Sequence, residues 1–347
     1  MCQAFASGGH VTTLLAREGE ERQADEYGYY GVRRCFDIVK LPWPRVTGGG
    51  IVYGWRCSRF ISEVPGVEAV YGRSVYGVLG ALRLHLPCVY EVHSPPTSRA
   101  RFELERRVLR HQGLQRLVVI SRALESAYMK LYPWFAPARI VVAPDGADLP
   151  EERIPRLPNW PGRIGALQVG YVGHLYPGRG TDVLVELARR LPQMDFHAIG
   201  GTEGHVKRWT AKADSRNLFF HGFVPPAETE RYRAMCDVLL LPYERRVAVA
   251  GGKGDTSAWM SPLKMFEYMA SRKAIVASSL PALQEVLTHD SNALLVSPDD
   301  FLAWEQALRD LEGDVGRRTR LADQAFRDLA GTYTWAERAR RVLARNG

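Results

Sequence analysis

The stretch "SPLKMFEYMASRKAIVASSLP", residues 261–281, opens as a helix and closes as a strand. Ser261 suits an N-cap and Pro262 the first helical position. The helical pattern runs through Ala270, and Arg272 and Lys273 suit its carboxyl end. "AIVAS" (274–278) is a short apolar run of the kind that forms a buried strand. A helix feeding straight into such a strand is half of a parallel α/β unit, whose sheet is covered on both faces.

Outward from that unit the same alternation recurs along the chain. "LQVGYVG" (167–173), "DFHAIG" (195–200), "NLFFH" (217–221), "DVLLLP" (237–242) and "NALLV" (292–296) read as further strands. Helical patterns lie between them at Asp182 to Leu191 and Pro226 to Met235. Upstream, "VTTLLA" (11–16), "EAVYG" (68–72), "CVYEVH" (88–93), "RLVVIS" (116–121) and "RIVVAP" (139–144) repeat the pattern, with helices at Phe102 to His111 and Ala123 to Lys130. Between the two series lies "LPEERIPRLPNWPGR" (149–163), whose four prolines disfavour helix and ladder alike. The expectation is two doubly wound, Rossmann-like α/β domains facing a cleft. Residues 1–152 form the first domain, 153–163 a linker and 164–330 the second domain, followed by a terminal helical segment, 331–347.

Composition narrows the function. The chain has 347 residues, 46% apolar and 24% charged, an ordinary globular balance. No run approaches the roughly 18 apolar residues of a membrane-spanning helix, and no leader is read at the front, so a cytoplasmic protein is expected. Five cysteines without a C-x-x-C pair fit a reducing compartment. The net charge of +8 favours anionic partners. Without a basic block, zinc pattern or aromatic RNA signature, nucleic acid is not expected. Phosphorylated ligands and the anionic inner face of a membrane remain. "RVTGGGI" (45–51) follows no clear strand and reads as a flexible loop rather than a phosphate cradle.

Lys264 and Glu267 are three apart and share a helix face. That face lies at the amino end, where free amides and the helix dipole attract anions. A phosphate there would meet the amides of Leu263 and Lys264 and the Lys264 ammonium, and Glu267 could accept from a ribose diol. The alternative is a surface ion pair. "GYVGHLYPGRGTD" (170–182) supplies a second element, in which Gly173, Gly178 and Gly180 permit close backbone approach. Its Arg179 either meets phosphate oxygens or faces solvent. The long stretch "PYERRVAVAGGKGDTSAWM" (242–260) leads directly into Ser261.

Together these segments resemble family 4 of the retaining glycosyltransferases, of GT-B fold. The resemblance is carried by "VGYVGHLYPGRGTDVLVELARRLP", "HGFVPPAE" and "GDTSAWMSPLKMFEYMA" with "AIVASSLPALQEVL". It extends more loosely to "YEVHS", "VVISRAL" and "VVAPDGAD" in the first half. It implies a nucleotide diphosphate sugar donor, a glycan or lipid-linked acceptor, retention of configuration, no covalent nucleophile and no metal. A role in cell-surface glycan, polysaccharide or glycolipid synthesis follows, with peripheral contact to an anionic membrane. By the same resemblance Arg179 and Lys264 hold the leaving diphosphate, and His93 approaches the donor sugar. Glu267 holds the ribose, the first glutamate of the family's pair being replaced by Trp259, and residues 251–260 are a candidate substitute. His174 stands where an arginine often occurs. Ser261, Pro262, Leu263 and Gly173 line the donor, and the turn Gly222, Phe223, Val224 lies at the base. Arg272 replaces a usual glycine, and "YTWAERARRVL" (333–343) is similar to the family's closing helix, which returns to the first domain. The family's first strand and glycine loop are expected ahead of Met1. A relic that binds donor without transfer and a nucleotide-sugar epimerase are the other readings.

Overall fold

The computed structural model describes residues 1–19, 25–150, 154–155, 157–247 and 255–344. The chain divides into two units. The first comprises Met1–Asp25, Arg33–Pro144 and Ala336–Gly347, the second Glu26–Val32 and Asp145–Trp335.

Unit 1 carries a parallel pair, β1 (Thr13–Arg17) with β2 (Asp37–Leu41), and a four-stranded parallel sheet. The sheet is ordered β3 (Val70–Gly72), β4 (Cys88–Val92), β5 (Leu114–Val119), β6 (Ile140–Val142). β2 was not anticipated. Its run "DIVKL" is exposed or half-buried throughout, so no strong apolar alternation marks it. β4 is buried at all five positions, including a carboxylate, Glu91. Helices Arg99–Arg110 and Arg122–Leu131 are N-capped by Ser98 and Ser121, whose hydroxyls accept from Arg101 and Leu124 amides.

Unit 2 is one six-stranded parallel sheet in the order β12 (Leu294–Val296), β11 (Ala274–Ser278), β10 (Val238–Leu241), β7 (Gln168–Val172), β8 (Asp195–Ile199), β9 (Leu218–Gly222). This is the doubly wound order, with its reversal between β7 and β10. Strand β10, "VLLL", shows why such runs are continuously apolar. Val238 and Leu240 enter the core on one face of the sheet, Leu239 and Leu241 the core on the other. Helix Thr181–Arg190 closes one face through Val183, Leu184 and Leu187. Helix Leu263–Ala270 closes the other through Met265, Phe266 and Met269.

The helix start differs from the sequence expectation. Pro262, not Ser261, occupies the cap position, with extended backbone and no side-chain cap. The Ser261 hydroxyl instead accepts from the Asp145 amide at 2.8 Å. Proline's missing N–H and fixed φ fit it to begin the turn from either position. Arg272, in a glycine-like place, has φ +49° and lies with its guanidinium 3.8 Å from the Phe326 ring centroid.

Residues 154–163 of the proline-rich stretch lie within unit 2, so far as they are described. Trp160 stacks on His197 and His221, at 4.1 and 5.0 Å between centroids. Arg163 pairs with the buried Asp195 at 2.8 Å.

Candidate functional site

In an open parallel sheet the strand order reversal leaves a crevice beyond the carboxyl ends. In unit 2 that point lies between β7 and β10, and the residues just past both strands converge there. β7 ends at Val172 and passes into Gly173, while β10 ends at Leu241 and passes into Pro242 and Tyr243. The two exits are tied together. The Gly178 amide donates to the Glu244 carboxylate at 3.2 Å, and the Glu244 amide to the Gly178 carbonyl at 3.1 Å. Two glycines are obligatory. Gly173 has φ +151°, and a Cβ there would lie 2.6 Å from Lys264 Nζ. Gly180 has φ +82°, and a Cβ would strike the Pro242 carbonyl oxygen.

Lys264 lies in the first turn of its helix and reaches back over the end of β7. Its ammonium donates to the Tyr171 hydroxyl at 3.0 Å and sits 4.1 Å from the Tyr171 ring centroid. The Tyr171 hydroxyl donates to the His174 carbonyl at 2.7 Å. Tyr243 forms a second platform, with Lys264 Nζ 5.1 Å and the Arg179 guanidinium 5.4 Å from its ring centroid. Arg179 also donates to the Tyr243 hydroxyl at 3.2 Å. Two cations thus share one buried aromatic ring. The ring is fixed by Ser278, whose hydroxyl donates to the Tyr243 carbonyl at 2.6 Å.

The electrostatic consequence is visible at Lys264. Burial holds its pKa well below the ordinary lysine range, Arg179 adds to the effect and Glu267 opposes it. Burial, then the Arg179 and Lys264 charges, likewise lower His174, whose ring stacks on Tyr176 at 4.9 Å.

Two family models match the chain, one for each half. The model described as Glycosyltransferase Family 4 matches residues 1–151, and that described as Glycosyl transferases group 1 matches residues 166–314. Both halves thus match glycosyltransferase models, which together span most of the chain. Among curated relatives, a D-inositol 3-phosphate glycosyltransferase of Xylanimonas cellulosilytica is 30% identical over 182 residues, which cover 50% of this chain and 40% of that protein. The chain spans about half, or less, of the length of the curated relatives it matches. Among solved structures, Anabaena Alr3699/HepE in complex with UDP and glucose superposes with a TM-score of 0.68 at 14% identity, covering 96% of this chain and 98% of that one. A glycosyltransferase from Rickettsia africae gives 0.70 at 11% identity, covering 99% and 93%. These likenesses establish the GT-B fold.

The remaining expected residues fall in three places. Glu267 lies one turn beyond Lys264, its carboxylate partly exposed and 3.4 Å from Arg233 Nη1. Arg233 is itself held by the hydroxyls of Thr229 and Ser271. Gly222 has φ +72° and accepts from the Gly200 amide at 2.7 Å. It leads to Phe223, which is exposed, and Val224, which is buried. His93 lies in unit 1, past the end of β4, with Nε2 2.5 Å from the buried Glu91 carboxylate. Glu91 also pairs with Arg338 at 2.9 Å, accepts from the Tyr71 hydroxyl and faces Arg73 at 3.8 Å. Burial pushes the Glu91 carboxyl up, but the His93 hydrogen bond and the Arg338 charge outweigh it and hold it below the usual range. Trp259 donates its amide to the Thr256 carbonyl at 3.1 Å. Of the candidate loop 251–260, residues 251–254 lie outside the described residues.

Tyr171, Tyr243, Arg233 and Tyr268 were not singled out from sequence. Tyr268 accepts from the Val172 amide at 2.7 Å and so locks helix Leu263–Ala270 to the end of β7. Its spacing of four from Lys264 puts it on the same face of the helix, which was the available signal. The two platform tyrosines read as ordinary strand residues, because only the sheet order brings β7 beside β10.

Proposed function

We propose that the chain transfers a sugar, with retained configuration, from a nucleotide diphosphate sugar to an acceptor hydroxyl. The acceptor class is a glycan or lipid-linked sugar of cell-surface polysaccharide or glycolipid synthesis. One observation carries the reading: a half-buried lysine and a half-buried arginine converge on the buried Tyr243 ring at the switch point of the sheet. Gathering two like charges in a desolvated place is unfavourable unless an anion joins them. A diphosphate is such an anion, and the free amides at the start of helix Leu263–Ala270 add donors to it.

In this reading Arg179, Lys264 and the amides of Leu263 and Lys264 neutralise the departing diphosphate as the glycosidic bond breaks. Stabilisation of developing leaving-group charge by preorganised groups is a large catalytic term. Glu267, oriented by Arg233, accepts from the ribose hydroxyls. Gly173 gives the diphosphate room, and His174, Ser261 and Pro262 border it. The turn Gly222, Phe223, Val224 takes the base, with the exposed Phe223 ring available for stacking. His93, oriented by Glu91, is the proposed contact to the donor sugar. These cations serve where other enzymes use a metal. The complexes of HepE with UDP and glucose, in a protein of the same fold, support the donor class.

Purified protein is to be incubated with uridine, guanosine and adenosine diphosphate sugars and an acceptor panel, with product anomers read by NMR. One donor is expected to release its diphosphate and leave the anomeric configuration unchanged. Inverted product, or no diphosphate release alongside normal donor binding, would overturn transfer with retention. Binding without turnover is the second reading, favoured by Trp259 standing at the place of the family's first glutamate.

A further inference from the structure

Unit 2 holds a cavity of about 610 Å³ at the amino edge of its sheet. Gln168 at the start of β7, Asp237 just ahead of β10 and Lys273 just ahead of β11 line it, and these three strands are neighbours. The proposed donor site lies past the other ends of the same strands, roughly 15 Å away along the five residues of β7. The cavity is therefore no part of that site. Its volume is that of a small-ligand pocket.

An aromatic ring, a pair of cations and a pair of carboxylates meet there. The ring is that of Trp160, on which His197 and His221 stack at 4.1 and 5.0 Å. On opposite faces their separation would approach the sum of those distances. It is 5.3 Å, so both imidazoles cover the same face. Tyr232 meets the ring steeply, at 67°. The second face of this half-buried indole stacks on no ring among the described residues and is left for the cavity. The cations are Lys273 and Arg318, both half-buried. The Lys273 ammonium donates to the Ala234 carbonyl at 2.9 Å. Arg318 Nη1 donates to the Leu311 and Glu312 carbonyls, while its Nε and Nη2 have no partner among the described residues. Arg163 also lines the cavity but is held by Asp195 and by the Pro192 and Met194 carbonyls. Of the carboxylates, Asp237 accepts from the Gln168 amide at 2.9 Å and Glu312 from the Gln193 side chain at 3.3 Å. Neither pairs with a cation among the described residues.

We propose that this cavity binds a nucleoside phosphate, at a site separate from that of the donor. The base stacks on the open face of Trp160 and extends the indole–imidazole column. The phosphate meets Arg318 and Lys273 through charge-assisted hydrogen bonds. Asp237 and Glu312 accept from the ribose hydroxyls. Cations and carboxylates that line one cavity without neutralising each other suit a ligand with an anionic end and a donor-bearing middle. A bare anion would be repelled by the two carboxylates. A hexose phosphate lacks the planar ring that the tryptophan face favours. The inference rests on residues of unit 2 alone and holds whichever sugar or acceptor the protein handles.

The test is calorimetric titration of the full chain with AMP, GMP, CMP and UMP, against their nucleosides, inorganic phosphate and glucose 6-phosphate. At least one monophosphate is expected to bind with a Kd below about 1 mM, and its nucleoside at least about tenfold more weakly. Lys264→Met, at the proposed donor site, should leave that affinity unchanged. Arg318→Gln and Trp160→Leu should each lower it about tenfold, with melting curves taken to check that each variant folds. As a second measurement, Trp160→Phe keeps a stacking ring and should still bind. The difference in emission between wild type and this variant isolates Trp160, which should be quenched as the site fills. Absence of saturable binding by all four monophosphates would overturn the proposal. So would binding that Lys264→Met abolishes and the cavity variants leave untouched, which would put the nucleotide at the donor site. Glucose 6-phosphate or inorganic phosphate binding as tightly as every nucleotide would overturn it as well.

Discussion

Lys264 is the residue on which the proposed donor site turns, and its environment gives a proton-linked prediction. Its folded pKa lies well below the ordinary lysine value of 10.5, first through burial and then through Arg179. Between the two values the unfolded chain binds more protons than the folded one, so this group makes stability rise with pH across that window. Below the window the buried ammonium is a constant cost. A bound diphosphate reverses the balance by favouring the charged form. Binding within the window is therefore expected to take up as much as about one proton. Calorimetry at one pH in buffers of different ionisation enthalpy reads this directly, and Lys264→Met should abolish the buffer dependence. The same substitution should weaken diphosphate binding by about 1.5–3 kcal/mol while leaving the bare nucleoside unaffected. Glu267→Gln should cost about 2 kcal/mol in donor affinity, and a 2′,3′-dideoxy analogue should be indifferent to it. Simply additive losses would remove the ribose assignment. Of this site, Arg179, Lys264, Glu267 and the glycine loop were legible in sequence, because glycine, lysine and helix position carry their chemistry locally. Tyr171 and Tyr243 were not, since a strand tyrosine gains its meaning only from the strand that lies beside it.

At the scale of elements, strands β8 and β9 carry a buried imidazole pair under the Trp160 ring. His197 Nδ1 faces His221 Nε2 at 3.1 Å, and His197 Nε2 lies 2.8 Å from the Gln168 side-chain oxygen. Phe219 and Tyr232 pack around them, and Trp160 donates to the same Gln168 oxygen at 2.9 Å. Burial pushes His197 down to about 3, helped by His221 and opposed by Asp195, and pushes His221 down to about 4. Both are neutral in the folded chain from pH 6.5 down to those values, whereas the unfolded chain takes up protons over that range. Stability should therefore fall as pH drops through it, by a total on the order of 5 kcal/mol. Urea midpoints from pH 7 to 4 would show the slope, and His197→Gln should flatten part of it. The six strands of this unit were readable, down to the limits of "AIVAS", whereas helices Glu203–Lys212, Phe301–Gly313 and Val315–Asp328 were not singled out. The capping of helix Leu263–Ala270 was not, because Ser261 is drawn away by the distant Asp145 amide. Arg272 after that helix stands where the resemblance places a glycine, and its φ of +49° is the left-handed backbone that glycine adopts at less cost. Arg272→Gly should exceed Arg272→Ala in stability by about 1 kcal/mol, since both lose the Phe326 contact but only glycine relieves the backbone. Thermal melts of the two variants decide it.

At the scale of the whole molecule, the chain leaves unit 1 after Pro144 and re-enters it at Ala336. Helix Trp335–Leu343 brings Arg338 into unit 1, where the guanidinium donates to the Ala143 and Pro144 carbonyls and to Glu91. Both members of the Glu91–Arg338 pair are 3% exposed. Removing one member of such a pair strands the other charge, so Arg338→Ala should destabilise unit 1 by about 3–5 kcal/mol. The double variant Glu91→Leu/Arg338→Leu should recover much of that loss, as read by urea melts. The tie also sets an order of events during synthesis. A ribosome emits Glu91 long before Arg338, and at about 5–20 residues per second the delay over nearly 250 residues is on the order of ten seconds or more. Throughout that time the nascent unit 1 holds a carboxylate in its central strand without its arginine, while the whole of Asp145–Trp335 is emitted in between. Unit 2 is thus the first able to finish, and unit 1 is the last to close.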